Sequence, residues 1–191
     1  MYEYISGRLA TIAPTLAVID CGGVGYLMEI TLNTYQVIQS ATEGVRLWVH
    51  EVIREDAHLL YGFSTPEERE MFLLLIGVNG VGSATARMIL STLTVEELQR
   101  AIASQDAKMV QRSRGVGAKT AQRIVMELQD KVTASGSVVA ASAAPVSRSK
   151  EEALSALVML GFPKAAADKA LQPMDGALPV EALIKEALKR L

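Results

Sequence analysis

The chain has 191 residues, a formal net charge of −2 and a hydrophobic fraction of 50%. This length suits one large core or two to three small ones, and the composition predicts a globular protein. No apolar run is long enough to span a bilayer, and one cysteine (Cys21) with two histidines excludes an internal disulfide and a zinc cluster. We therefore expect a cytoplasmic protein with no membrane partner, no metal and no cofactor.

The first third of the chain consists of short β-type runs separated by turn signals. The pair Gly22-Gly23 predicts a hairpin turn between the second and third runs, and Asn33 to Gln39 fits one helical turn or a loop. Five short strands in this length predict a small barrel, for which the OB-fold is the natural candidate. The predicted strands are Tyr4 to Thr11, Leu16 to Cys21, Tyr26 to Thr31, Val45 to Val52 and His58 to Phe63.

Two adjacent carboxylates, Glu55 and Asp56, stand at the predicted tip between the fourth and fifth strands. Three interpretations remain open at this point: solvated turn residues, an acid/base pair, or an acidic tip that repels phosphates. The acid/base pair is disfavoured because neighbours on an exposed tip lack the burial that separates two carboxyl pKa values. The choice between the other two depends on what lies beside the tip.

From Ser64 the hydrophobic period becomes helical. Thr65 is suited to cap the first helix, Pro66 to open it, and Glu68 stands where a capping box requires an acid. We interpret the methionines at 71, 88, 109 and 126 as core fillers. Further helices are predicted over Ser83 to Leu90, Leu98 to Ala103 after a second capping box at Thr94, Gln105 to Arg112, and Ala118 to Lys131.

One short pattern occurs twice within this helical region. Each copy is a glycine turn that opens a helix, where unpaired amides and the positive end of the helix dipole can bind an anion. A single copy is more often a tight turn than a ligand site, but the repetition favours phosphate binding. The copies share six positions at an offset of 35 residues: Gly80-Val81-Gly82 with Thr85, Ala86 and Ile89, and Gly115-Val116-Gly117 with Thr120, Ala121 and Ile124.

The repeated turns resemble the helix-hairpin-helix motif, and contacts to backbone amides cannot read base sequence. A P-loop is excluded because Gly82 is followed by Ser83 and Ala84. Basic residues at 112, 114, 119 and 123 form a local patch without an acid among them. The candidate phosphate-binding residues are Asn79, Gly80, Val81, Gly82 and Ser83 in the first turn, and Arg114, Gly115, Val116, Gly117, Ala118, Lys119, Thr120 and Arg123 in the second.

Small and polar residues dominate the stretch from Thr133 to Ser149, where 13 of 17 residues are Ala, Ser, Gly, Pro or Thr. Such a composition predicts a flexible linker. Beyond it, three short helices are predicted at Glu151 to Leu160, Lys164 to Leu171 and Val180 to Leu191. Apolar residues on so small a module indicate either a protein partner or a solvated appendage, and both interpretations stay open.

The order of these parts resembles the RuvA family, with the most specific similarity in Arg54-Glu55-Asp56 and Leu59-Leu60-Tyr61-Gly62-Phe63. The resemblance implies a multidomain β-then-α protein: a five-stranded OB-fold barrel (1–63), a tandem helix-hairpin-helix domain (64–132), a flexible linker (133–149) and a three-helix, UBA-like domain (150–191). It implies a non-catalytic subunit that binds four-way (Holliday) junction DNA in recombination, repair and the SOS response. The implied partners are its own copies in one homotetramer or two stacked ones, the hexameric RuvB ATPase and the RuvC resolvase.

By position, the resemblance makes Glu55 and Asp56 an acidic pin, which favours the repulsive interpretation of the tip. Two departures from the family pattern concern the turns. Ser83-Ala84 stand where Pro-Lys is usual, and Arg114 and Ala118 replace a proline and a lysine, so we expect backbone contacts to persist with fewer cations. The resemblance also assigns contacts with the ATPase to apolar residues of the last domain: Leu157, Leu160, Phe162 and Leu188.

Two other functions stay open on the sequence. A helix-hairpin-helix glycosylase would use a catalytic lysine, a role that Lys119 could fill, but the preceding barrel and the place of Asp130 beside Lys131 disfavour it. A general duplex-binding module differs from a junction-binding one only in its preference for DNA structure. Because the chain shows no nucleotide site and no nucleophile arrangement, we expect no catalytic residue.

Overall fold

The computed structural model of the protein describes residues 2–41, 44–139, 145–175 and 178–191. The chain forms two compact units, Met1–Gly136 and Ser137–Leu191. Within the described ranges, no helix is both long enough and apolar enough to cross a membrane.

A closed five-stranded barrel occupies the start of the first unit. Its strand order is β1-β2-β3-β5-β4, with β3 and β5 parallel and the other neighbours antiparallel. This order, with a helix between β3 and β4, confirms the predicted OB-fold. The elements are β1 (Tyr4–Ala13), β2 (Leu16–Cys21), β3 (Val24–Ile30), α1 (Leu32–Ile38), β4 (Val45–Ile53) and β5 (His58–Phe63).

Alternation along the strands builds the barrel core, because successive side chains of a strand point to opposite faces. The turn between β2 and β3 is confirmed at Gly22 and Gly23, whose φ angles of 64° and 97° suit a tight hairpin turn. The N–H of Gly23 and the guanidinium of Arg8 hold the pKa of Asp20 below its ordinary value. The buried barrel residues are Ile5, Ala17, Ile19, Met28, Ile30, Ile38, Val45, Leu47 and Val49.

Five helices complete the first unit, and local capping explains where most of them begin. Thr94 and Glu97 form the predicted capping box before α4, with both reciprocal hydrogen bonds present. The capping box predicted at Thr65 and Glu68 forms only in part. The Glu68 N–H donates to Thr65 Oγ1, but the Glu68 side chain turns away from the helix start. The helices are α2 (Pro66–Ile76), α3 (Ser83–Thr92), α4 (Val95–Ala103), α5 (Ala107–Gln111) and α6 (Ala118–Val139).

The Glu68 carboxylate instead joins the barrel to the helices. It accepts hydrogen bonds from Thr31 Oγ1 at 2.5 Å and from Thr34 Oγ1 at 2.7 Å, and Ser64 donates through both its N–H and its hydroxyl at 3.3 Å. Glu68 is 4% exposed, and the two threonines are fully buried. A buried carboxylate needs such donors, so tertiary contacts replace the side-chain half of the capping box, and the Thr65 cap itself remains.

A second hydrophobic core joins strand β5 of the barrel to the helices. Phe72 of α2 packs against Tyr61 and Phe63 of β5, with ring centroids 5.1 and 4.9 Å apart. The interpretation of all four methionines as core fillers is wrong for two of them. Met71 is buried and Met109 half-buried, but Met88 is 40% and Met126 75% exposed, since both lie on the outer faces of their helices.

From residue 145 onward, the described part of the second unit forms α7 (Pro145–Met159), α8 (Lys164–Leu171) and α9 (Val180–Leu188). They pack around a small core of Ala153, Leu157, Ala167, Ala170, Leu171, Met174, Leu183 and Ala187. Helix α7 begins six residues before the predicted start at Glu151, and α6 continues past Lys131, so both ends of the predicted linker are helical. Residues 140–144 of that linker lie outside the described residues.

Candidate nucleic-acid interface

The two glycine turns have the same backbone structure. Val81 N–H donates to the Val78 carbonyl at 3.0 Å, and 35 residues later Val116 N–H donates to the Ser113 carbonyl at 3.1 Å. Gly80 and Gly115 have φ angles of 88° and 85°, which only glycine adopts without strain. The repeat found in the sequence is therefore a structural repeat, formed by α2 and α3 in the first copy and by α5 and α6 in the second.

Each turn buries its valine and exposes its glycines. Val81 and Val116 are 5% and 6% exposed. A Cβ placed on Gly82 or Gly117 would meet no described atom within 4 Å, so the backbone there is open to a ligand. Helix α3 begins after Gly82 with no side-chain cap among the described residues, which leaves its first amides available. These features suit the backbone binding of a phosphate.

The basic side chains near the turns differ in what they contact. Arg114 and Lys119 are exposed and make no ion pair with the residues that the structure describes. Arg123, predicted to add a free charge, instead donates from Nη1 to the Asn79 carbonyl at 3.0 Å, and its Nε lies 3.9 Å from a Glu127 carboxylate oxygen. Arg123 therefore ties the helix of the second turn to the first turn.

The side chains of two other predicted phosphate-binding residues, Ser83 and Thr120, are less available to a ligand than expected. The Ser83 hydroxyl accepts a hydrogen bond from the Tyr61 hydroxyl at 3.0 Å inside the protein, so its amide is the group placed at the helix start. Thr120 is half-buried on the first turn of α6. The sequence did not indicate this hydrogen bond of Tyr61, because its partner lies 22 residues away and no local pattern connects the two residues.

Ser113 is an unfavourable residue for the stability of the second turn. It stands where the first turn has Val78; it is 1% exposed, and its hydroxyl has no hydrogen-bond partner among the described residues. We expect Ser113→Ala to raise the free energy of unfolding by about 1 kcal/mol, since an unpaired buried hydroxyl costs about 1–3 kcal/mol. Urea unfolding checks this, with Ser104→Ala on an exposed hydroxyl as control. A less stable Ser113→Ala variant would show that the hydroxyl is satisfied.

The acidic tip is a short connection between β4 and β5. Arg54 N–H donates to the Ala57 carbonyl at 2.8 Å, which closes the turn and places Glu55 and Asp56 at its exposed end. Strands β4 and β5 stay paired up to Ile53 and His58, directly below the tip. Two negative charges are thus held at the end of a paired hairpin.

The apolar residues predicted to contact a partner are only partly on the surface. Leu157 is fully buried, because it shares the inner face of α7 with Ala153. Phe162 is half-buried against the same core. Leu160 and Leu188 are 63% and 44% exposed. The sequence reasoning missed Met159, which is 87% exposed; the helical period that buries Leu157 could have revealed it.

An OB-fold barrel followed by two helix-hairpin-helix turns in one compact unit defines the class of protein, a tandem helix-hairpin-helix protein. Family models match three parts of the chain. The RuvA N terminal domain matches residues 1–62, the SAM-like Helix-hairpin-helix tandem matches residues 72–130, and the RuvA, C-terminal domain matches residues 149–191.

Relatives that match this chain over their full length share one name. The Holliday junction branch migration complex subunit RuvA of Bacteroides thetaiotaomicron is 48% identical, and those of Christiangramia forsetii and Porphyromonas gingivalis are 44% and 43% identical. Each alignment covers 100% of this chain and 100% of the relative. The chain therefore belongs to the RuvA family, as its motifs predicted.

Proposed function

We propose that this chain is the non-catalytic DNA-binding subunit of a Holliday junction branch migration complex, the complex named in the names of its relatives. The observation that carries the proposal is the repeated turn. Two sets of open glycines and helix-start amides lie in one unit with an acidic tip. Phosphate binding by both turns would hold DNA without reading its sequence, and the tip would act where strands separate.

In this mechanism each component has a separate electrostatic task. The amides of the two turns bind phosphates of a duplex arm, and Arg114 and Lys119 add positive charge beside the second turn. In a homotetramer on the junction, four copies of Glu55 and Asp56 meet at the centre. Their charge repels phosphates from the crossover and keeps the junction open.

The second unit provides the surface that contacts the ATPase. A hexameric ATPase, RuvB in the family, would bind the exposed apolar residues near the ends of α7 and α9, Leu160 and Leu188, with Met159 beside them. The ATPase hydrolyses ATP and moves the DNA, whereas this chain holds the junction. The RuvC resolvase acts on the same complex, and the setting is the cytoplasm.

A glycosylase is the less supported alternative. Its chemistry would need Lys119 and an aspartate in a shared pocket, but Asp130 is exposed on α6, eleven positions after Lys119 along the same helix. That spacing is about three helical turns, or roughly 16 Å. The structure therefore supports binding by Lys119 rather than catalysis.

A gel-shift titration tests the proposal. We expect the protein to form discrete complexes with a synthetic four-way junction at concentrations at least about tenfold below those needed for a linear duplex of equal length. Replacing the tip charges with Glu55→Gln and Asp56→Asn should reduce that preference, because the repulsion that distinguishes the crossover is lost. Equal affinity for both DNAs in the unsubstituted protein would leave a general duplex-binding module.

The salt dependence of binding tests the role of Lys119. Lys119→Ala should weaken binding and reduce the slope of log K against log salt by about 0.9 for each bound copy whose lysine neutralises a phosphate. Lys169→Ala, which removes an equal charge from α8 in the second unit, is the matched control and should leave the slope unchanged. An unchanged slope for Lys119→Ala would remove this lysine from the phosphate site.

A further inference from the structure

A buried hydrogen bond joins the strand that follows the acidic tip to the first phosphate-binding turn. Tyr61 lies on β5 and is 3% exposed, and its hydroxyl donates to Ser83 Oγ at 3.0 Å. Ser83 is the first residue of α3, so the bond ends at the helix start where the proposed phosphate site lies. Phe72 of α2 holds the Tyr61 ring, with the two centroids 5.1 Å apart.

A second contact continues this connection to the other turn. Arg123 on α6 donates to the carbonyl of Asn79 in the first turn at 3.0 Å. Strand β5 runs from His58 to Tyr61 while paired with β4, a distance of about 10 Å at 3.3 Å per residue. The tip, the first turn and the second turn are thus joined through one paired strand and two side-chain hydrogen bonds.

We propose that Tyr61 is a positioning residue for junction recognition and acts through Ser83. The inference rests on the proposed function, because it requires the tip and the turns to engage one junction. Binding to a duplex needs only the turns, which hold a phosphate backbone wherever they meet it. Binding to a junction also requires the tip to reach the crossover, so the spacing between tip and turns matters only there.

The second turn provides an internal comparison. Ala118 occupies the position equivalent to Ser83, 35 residues later, and has no hydroxyl. The backbone hydrogen bonds of the two turns are nevertheless the same. A hydroxyl at this position is therefore not needed to form the turn, and at Ser83 it serves the contact with the barrel.

Tyr61→Phe tests the inference, because it removes the hydroxyl and keeps the ring against Phe72. We expect the dissociation constant for a four-way junction to rise about three- to tenfold, the range for one buried hydrogen bond. The constant for a linear duplex should stay within about twofold, and the salt slope should not change because no cation is removed. Ser83→Ala should raise the junction constant by a similar factor, and the double variant should add nothing, since both changes break the same bond.

Tyr26→Phe is the matched control, because it removes a hydroxyl from a half-buried barrel tyrosine that packs against Tyr2. It should leave junction preference unchanged. The unfolding temperature of each variant shows whether a loss of junction preference comes from a changed position of the tip and turns or from lower stability. If Tyr61→Phe and Ser83→Ala lower only the unfolding temperature and keep the junction preference, the inference is wrong and the proposed function stands. If the unsubstituted protein shows no junction preference, both are wrong.

Discussion

Replacing Gly80 and Gly115 together by alanine is expected to weaken binding to a four-way junction by about tenfold to a hundredfold. Both residues have φ angles near +85°, and a left-handed conformation costs a residue with a Cβ about 1–2 kcal/mol. The turns must either keep this strain or relax to φ below zero, which redirects the amides that we expect to bind phosphate. The dissociation constant from a gel-shift titration measures the effect.

The control for that variant is Gly23→Ala, which introduces the same strain (φ 97°) into the β2–β3 turn, away from both helix-hairpin-helix motifs. It should reduce stability and leave DNA affinity close to that of the unsubstituted protein. Junction binding by the double glycine variant at full strength would show that the turns are structural only. It would also remove the main support for the proposed function.

The second large effect is expected at Glu68. Replacing it by alanine leaves the buried hydroxyls of Thr31 and Thr34 without their acceptor and opens a cavity where the barrel meets the helices. Hydrogen bonds to a charged group contribute about 1.5–3 kcal/mol each, so we expect a loss of about 3 kcal/mol or more in the free energy of unfolding. Urea unfolding followed by circular dichroism measures it.

Glu70→Ala is the matched control, because Glu70 is an exposed carboxylate on the same helix. It should change the free energy of unfolding by less than about 0.5 kcal/mol. Glu68→Gln keeps the volume and one acceptor oxygen, and its stability should fall between those of the other two variants. Equal stability of Glu68→Ala and Glu70→Ala would mean that the buried cluster contributes nothing to the folded state.

Much of the fold was predictable because its signals are local. The second and fifth strands begin and end at the predicted residues, and the others differ by at most two residues at either end. The turns at Gly22-Gly23, Gly80 and Gly115 follow from the conformational freedom of glycine. The helical structure at both ends of the predicted linker could not be predicted from local signals. A helix that has already formed can extend at a small free-energy cost, even through residues with no hydrophobic period.

The sequence by itself determined the order of strands and helices, the repeated turn and the acidic tip, because each depends on residues that are neighbours in the chain. Only the tertiary structure decided that the Glu68 side chain binds two buried threonines, that Ser83 turns inward to Tyr61 and that Arg123 binds the first turn. Their partners lie 37, 22 and 44 residues away. No local pattern reports such contacts, because they form only when the barrel and helices pack and buried polar groups must find partners.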